Sequence, residues 1–170
     1  MARVEVKIHP SNPLGEDTAV GHNRWHPDIA PIARCRPGDT LVIETRDALD
    51  GQVTPATTIA DLETIDSSLV HPMTGPVHIE GAEPGDILEV EIVDIAPAAF
   101  GYTVQSTGFG FLRDVFPDRY LVKWRLEGGF AASEQLPGIR IPADPFMGTI
   151  GVAPDRALLE RAHAREAASL

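Results

Sequence analysis

Two histidines and a glutamate lie close together in the segment that spans residues 70–95. If residues 77–80 form a strand, His78 and Glu80 lie on one face of it. The proline that follows His71 holds the backbone of that histidine extended. A loop imidazole and a strand carboxylate can bind a metal ion or act as an acid–base pair. The alternative is a solvated strand face, which is the interpretation we prefer for His78.

A second polar cluster, GHNRWHPD, contains His22 and His26 at a spacing of four residues. Pro27 makes a helix unfavourable here, but an extended chain also points both rings to one side. Asn23 and Asp28 are close enough in sequence to be hydrogen-bond partners of metal ligands. The cluster therefore predicts either a metal site, with His22 the stronger candidate, or a polar loop in which the histidines cap turns.

An acidic run follows at Asp61, Glu63 and Asp66. One of these carboxylates could join the histidines on a metal ion, and the alternative is the solvated face of a short helical turn. The sequence contains neither a Gly-x-Ser-x-Gly nor a His-Glu-x-x-His motif. The familiar serine hydrolase and zincin mechanisms are therefore excluded.

Cys35 is the only cysteine, which excludes an intrachain disulfide and a cysteine-based zinc cage. Its two arginine neighbours could lower the thiol pKa, but we interpret Cys35 as a small buried residue in a strand. The net charge of −11 argues against nucleic acid and anionic membranes as partners. No signal peptide or apolar span is visible, so the cytoplasm is the expected location.

Gly and Pro, with 15 residues each, separate several short β-like runs. This spacing favours a β-sandwich or barrel over a parallel α/β fold. Two of the runs follow similar turns, RPGDT at residues 36–40 and EPGDI at residues 83–87, in which Pro and Gly suit a type II turn. The predicted strands are residues 3–8, 41–45, 77–79, 88–95, 120–126 and 139–141.

Helix is scarce in the sequence pattern. Residues 59–69 and 111–116 each predict a helical turn or two, and the glycine-spaced stretch 101–110 predicts a flexible loop without a phosphate-binding motif. A clear helix begins at Pro154-Asp155 and runs to Leu170, with Leu158, Leu159 and Ala162 as its apolar stripe. The predicted fold is mainly β, with β-sandwich-like sheets, short helices and a C-terminal α-helix.

These residues together resemble the acetamidase/formamidase family. The resemblance is carried by long collinear segments that cover most of the chain: HNRWHPDIAPIARCRPGDTL (22–41), DALDGQVTPATTIADL (47–62), LVHPMTGPVHIEGAEPGDILEVEIVDI (69–95), GFGFL (108–112) and FMGTIGVAP (146–154). It implies hydrolysis of formamide or acetamide to a carboxylic acid and ammonia, a β-sandwich-like architecture and homo-oligomers. Zinc or calcium accompanies some members, and no organic cofactor is implied.

The resemblance also implies a site. The metal-capable residues inside the matching segments are His22, Asp61 and His71, which we predict as zinc or calcium ligands. Glu80 and His71 are the predicted catalytic residues, Glu80 as base or ligand, and His26 is a weaker candidate.

Family members are roughly twice as long as this chain, which suits two cores better than one. Their Gly-Gly-Asn-x-Asp and Gly-Asp-x-His elements do not occur here. We therefore expect an amidase domain at residues 1–153 and a helix at residues 154–170 that links to a second half. That half, or a second chain that carries it, completes the site. The alternative is a non-catalytic β-sandwich that binds a small molecule or acts as a scaffold.

Overall fold

The computed structural model of the chain describes residues 1–9 and 11–168, and these residues form mainly β-strands. The strands belong to several sheets, 3-10 turns lie between them, and an α-helix follows near the C-terminus. The predicted fold class is therefore confirmed. Two compact units are present, one made of Met1–Gly51, Asp66–Leu88 and Thr149–Leu170, the other of Gln52–Ile65 and Glu89–Gly148. The predicted division after residue 153 stays a prediction.

The first unit is built from three pairs of short strands. The strands are β1 (Arg3–Val6), β2 (Gly21–His22), β3 (Ala33–Cys35), β4 (Thr40–Ile43), β5 (Met73–Thr74) and β6 (Val77–Ile79). β1 pairs with β4 and β3 pairs with β6, both in parallel, whereas β2 and β5 are antiparallel. Val6, Leu14 and Cys35 are its buried apolar side chains. The prediction of Cys35 as a buried strand residue is confirmed.

The two Pro-Gly-Asp turns of this unit adopt the same conformation. Gly38 has a φ of 88° and Gly85 a φ of 106°, as the second corner of a type II turn requires. In residues 36–39 and 83–86, the N–H of the aspartate donates to the carbonyl of the first residue, at 3.0 Å in both turns. The aspartate carboxylate in turn accepts the N–H of the first residue. The similarity seen in the sequence is therefore a structural one.

The predicted C-terminal helix is α1 (Arg156–Ala167). Asp155 is its N-cap, and the carboxylate accepts the N–H of Leu158 at 2.6 Å. Leu158 is exposed, whereas Leu159 and Ala162 are half-buried. The predicted extension to residue 170 concerns two positions, 169 and 170, that lie outside the described residues. Within the described part of the chain, no helix has the length and apolar character needed to cross a membrane.

The second unit contains a four-stranded antiparallel sheet in the order β10-β9-β8-β7. Its strands are β7 (Phe100–Gln105), β8 (Tyr120–Glu127), β9 (Phe130–Ala132) and β10 (Arg140–Pro142). Leu121 and Val122 on β8 are buried, as is Val53 in the same unit. Lys123 fixes a loop to the sheet, because its ammonium donates to the carbonyl oxygens of Pro55 at 2.8 Å and Thr57 at 3.2 Å.

Most of the predicted strands and turns are present. β1, β4, β6, β8 and β10 lie at the predicted positions, with ends that differ by a few residues. The helical turns predicted at residues 59–69 are the 3-10 turns Ala60–Thr64 and Ser67–Leu69. At residues 111–116 a hydrogen-bonded turn replaces the predicted helix. The N–H groups of Val115 and Phe116 both donate to the carbonyl of Leu112 there.

Two predictions from the pattern are wrong. Residues 88–95 are not a strand in this structure, because no segment among the described residues pairs with them. Residues 101–110 are not all loop, since β7 (Phe100–Gln105) pairs along its length with β8. Its glycine at position 101 lies against Leu126, and a Cβ added to this glycine would come within 3.1 Å of the leucine Cδ1. The alternation of Phe100, Tyr102 and Val104 was the signal for this strand.

Candidate functional site

The pairing of β2 with β5 brings the two predicted histidine segments together. His22 on β2 lies opposite Met73 on β5, and His71 is two residues before Met73 in the chain. The His22 side chain is partly buried, and its Nδ1 is a buried atom with no hydrogen-bond partner among the described residues. His71 is exposed. A buried imidazole nitrogen without a partner is uncommon, because burial of a polar atom without a hydrogen bond is unfavourable.

Trp25 covers His22 from one side. The ring centroids are 6.4 Å apart, and the planes make an angle of 75°, an edge-to-face arrangement. On its other contact, Trp25 lies against Gly151, where a Cβ would come within 2.9 Å of the indole. The absence of a side chain at position 151 is therefore required for the indole to keep this position beside His22.

Glu80, the predicted base, follows β6 and forms an ion pair with Arg36 at 2.8 Å. The hydrogen bond from the Arg36 guanidinium holds the pKa of Glu80 below its ordinary value. Glu80 is therefore an ionised hydrogen-bond acceptor and only a weak base. Both residues line an open cleft of about 540 Å³, together with Cys35. Burial raises the pKa of the Cys35 thiol, which makes it a poor nucleophile.

Asp61, the third predicted ligand, is located in the second unit. Its carboxylate accepts two hydrogen bonds from Thr58, one from the N–H at 2.7 Å and one from the hydroxyl at 2.8 Å. The Thr58 N–H, and then its hydroxyl, lower the pKa of Asp61. In this structure Asp61 therefore organises a turn, which is the alternative that the sequence left open.

His26 caps a turn, as one interpretation of its cluster predicted. Its Nδ1 accepts the N–H of Asp28 at 3.2 Å, and its carbonyl accepts the N–H of Ile29. Asp28 also binds the guanidinium of Arg156, with 2.7 Å to Oδ1. This ion pair lowers the pKa of Asp28 and fixes the start of α1 to the loop. His78 on β6 lies opposite Arg34 on β3.

The residues of this chain do not form a complete metal site. Within residues 1–9 and 11–168, no group of three or more His, Cys, Asp or Glu side chains is arranged to hold an ion. The buried Nδ1 of His22 is compatible with a ligand nitrogen, but stable zinc or calcium coordination needs several further donors. The described side chains could supply only some of them.

A buried ion network in the first unit is absent from the sequence interpretation. The Arg46 guanidinium donates to Asp17 at 2.6 Å and to Asp50 at 3.3 Å, and it also binds the carbonyl of Asn12. The N–H of His9, and then the Arg46 guanidinium, lower the pKa of Asp17. Arg46 and Asp50 are four residues apart, which is a weak signal, whereas no local pattern connects either of them to Asp17.

A model described as the Acetamidase/Formamidase family matches residues 7–170. The chain is 35% identical over 181 residues to the acetamidase of Mycolicibacterium smegmatis, covering 99% of this chain and 45% of that protein. It is 35% identical over 167 residues to the formamidase of Methylophilus methylotrophus, covering 95% and 41% respectively. The solved γ-lactamase from Delftia acidovorans is 31% identical, with a TM-score of 0.90 over 99% of this chain and 42% of that chain.

The chain thus spans less than half the length of these curated relatives. The matched region contains every site residue predicted from the sequence, and the match to the solved γ-lactamase shows that the fold is shared as well. Because the match extends over nearly the whole chain, the chain belongs to the acetamidase/formamidase family.

Proposed function

We propose that this chain is part of an amidohydrolase that converts a short aliphatic amide, formamide or acetamide, into a carboxylate and ammonia. The observation that carries the proposal is the family match over residues 7–170, which includes the histidine segments joined by β2 and β5. Because the chain covers only 45% and 41% of two relatives, the proposal assigns it one part of the active site. The remaining part of the family fold supplies the rest.

In this reaction the oxygen of a water molecule attacks the amide carbonyl carbon, the C–N bond breaks, and the leaving nitrogen takes a proton to depart as ammonia. The exposed imidazole of His71 is suited to move that proton, because an ordinary histidine titrates near neutral pH. Glu80 stays ionised beside Arg36 and would orient the water by accepting a hydrogen bond. The buried side of His22 would help to hold the substrate region in place.

The proposal keeps His22, Asp61 and His71 as ligands of zinc or calcium in the assembled enzyme, where donors outside this chain complete the set. Such an ion, when bound, would polarise the carbonyl and lower the pKa of water. The assembled protein is a homo-oligomer or a complex with a second chain, it acts in the cytoplasm, and it needs no organic cofactor. It does not bind nucleic acid or insert in a membrane.

A second function has one observation in its favour. Glu80 is occupied by an ion pair, and within the described residues no side-chain group is ready to hold a metal ion. A non-catalytic β-sandwich subunit that binds a small molecule or acts as a scaffold would have such a surface. This candidate predicts that no variant of the predicted site changes hydrolysis by the assembled protein.

Substitutions at the site separate the two functions. The chain is combined with a polypeptide that carries the rest of the M. smegmatis acetamidase, and ammonia release from formamide is measured. His71→Ala should lower the rate about 10²–10⁴-fold, the usual effect of removing an acid–base group. His78→Ala, on the neighbouring strand β6, should leave it unchanged. Equal rates for both variants would contradict the assignment, and the metal content of His22→Ala and Asp61→Ala tests the ligand set.

A further inference from the structure

Residues 88–95 are a strand-like sequence without a strand partner. The acidic and apolar side chains of LEVEIVDI alternate over its first five residues, as in a β-strand with one covered face. In the structure, however, none of the backbone hydrogen bonds found among the described residues involves this segment. Sequence and structure disagree here, and the disagreement calls for a physical cause.

The first Pro-Gly-Asp turn shows what the second one lacks. The turn at residues 36–39 leads into β4 (Thr40–Ile43), which pairs with β1. The turn at residues 83–86 has the same hydrogen bonds and the same positive φ at its glycine, and it leads into residues 88–95. Because the two turns deliver the chain in the same way, the missing element in the second case is the neighbouring strand.

The side chains of this segment are exposed to a degree that is unusual for apolar residues. Val93 is 80% exposed, Val90 is 52% exposed and Ile92 is 49% exposed. In the same unit, a second segment at residues 109–116 exposes Phe109, Phe111, Leu112 and Val115 by more than half. Apolar surface of this extent on a folded protein marks an interaction site.

The identity of the occupant follows from the comparison with the relatives. The structural match to the D. acidovorans γ-lactamase covers 99% of this chain but only 42% of that one. The unpaired segment is therefore folded as it is in a protein that has additional chain available to pack on it. Additional chain of the same fold is the partner for which this exposed backbone and these side chains are suited.

We propose that residues 88–95 are the docking strand for the remaining part of the acetamidase/formamidase fold. That part adds a β-strand alongside the segment, so that its backbone N–H and C=O groups become paired and Val90, Ile92 and Val93 become covered. This inference rests on the proposed function, because it takes the partner to be the rest of the amidase. It adds to that function the position and the mode of assembly.

Hydrogen exchange measured by mass spectrometry tests this assembly mode. Residues 1–170 are mixed with a polypeptide comprising the part of the M. smegmatis acetamidase outside the match, and complex formation is followed by sedimentation. In the chain alone, the amides of residues 88–95 should exchange rapidly. In the complex they should slow by about 100-fold or more, as strand amides do.

Glu91→Pro is the critical variant, and Glu91→Ala is its matched control. Proline removes the backbone donor from the middle of the segment, whereas alanine removes only the charge. Neither change should alter the unfolding of the chain alone, because the structure gives the Glu91 N–H no acceptor among the described residues. In the mixture, Glu91→Pro should abolish protection and weaken binding at least about tenfold, whereas Glu91→Ala should bind as the parent chain does.

Three results would overturn the proposal. They are a mixture that forms no complex, a complex in which residues 88–95 still exchange rapidly, and protection of this segment by self-association of the chain without the second polypeptide. A complex that protects the segment but releases no ammonia would instead support the docking proposal and count against the proposed catalytic function.

Discussion

At the scale of single residues, the strongest interaction in the structure is the buried arginine of the first unit. Arg46 and Asp50 have side chains that are 5% and 0% exposed, and Asp50 also accepts the N–H of Leu14 at 2.6 Å. A buried carboxylate is tolerated because its charge is paired and its oxygens accept hydrogen bonds. The arginine therefore stabilises the loop around Leu14 chiefly by making the burial of Asp50 possible.

Replacement of this arginine gives the first prediction. Arg46→Met keeps much of the side-chain volume but leaves Asp50 buried without its cation, so the free energy of unfolding should fall by about 3–5 kcal/mol. Arg125→Met is the control, since Arg125 pairs with Glu127 on the surface, and it should change that free energy by less than about 1 kcal/mol. Urea unfolding followed by circular dichroism measures both, and equal midpoints would disprove the explanation.

The residues of the candidate site were predictable from the sequence only in part. His22 and His71 are metal-capable side chains at unusual positions, and their types were enough to select them. Their association through β2 and β5 was not predictable, because two-residue strands leave almost no periodicity in the sequence. The Arg36 partner of Glu80 was also hidden, since the two residues are 44 positions apart and meet only through the pairing of β3 with β6.

At the scale of elements, α1 depends on its first residue for a defined start. The Asp155 carboxylate accepts the N–H of Leu158, and no buried side chain on the helix adds to its attachment. Asp155→Ala should therefore lower the free energy of unfolding by about 1 kcal/mol, and Asp155→Ser should retain most of it because serine also caps. Urea titration of the three proteins checks this, and an alanine variant as stable as the parent would contradict it.

The elements differ in how well the sequence predicted them, and the reason is the source of their hydrogen bonds. The cap of α1 and the two Pro-Gly-Asp turns are formed by neighbours in the chain, so local residue types were sufficient. Residues 88–95 have the best strand pattern in the sequence and yet form no strand. Alternation reports which side chains could be buried, whereas a strand also needs a partner, and that partner is not among the described residues.

At the scale of the whole molecule, the amount of exposed surface is the most informative quantity. A folded monomer of 18.3 kDa should expose about 8,100 Å², whereas this chain exposes 12630 Å². Few apolar side chains are buried: Val6, Leu14, Cys35, Val53, Leu121 and Val122. Both facts follow if the chain folds together with the rest of the family fold, because the apolar side chains at residues 88–95 and 109–116 are then covered.

The central claim is that this chain supplies one part of an amidase site, and ammonia release tests it most directly. Formamide and acetamide are offered to the chain alone and to the chain combined with the remaining part of the M. smegmatis acetamidase, with the intact acetamidase as the positive control. We expect ammonia from the combination and none from the chain alone. Ammonia from the chain alone would contradict the shared site, and no ammonia from the combination would contradict the amidase function itself.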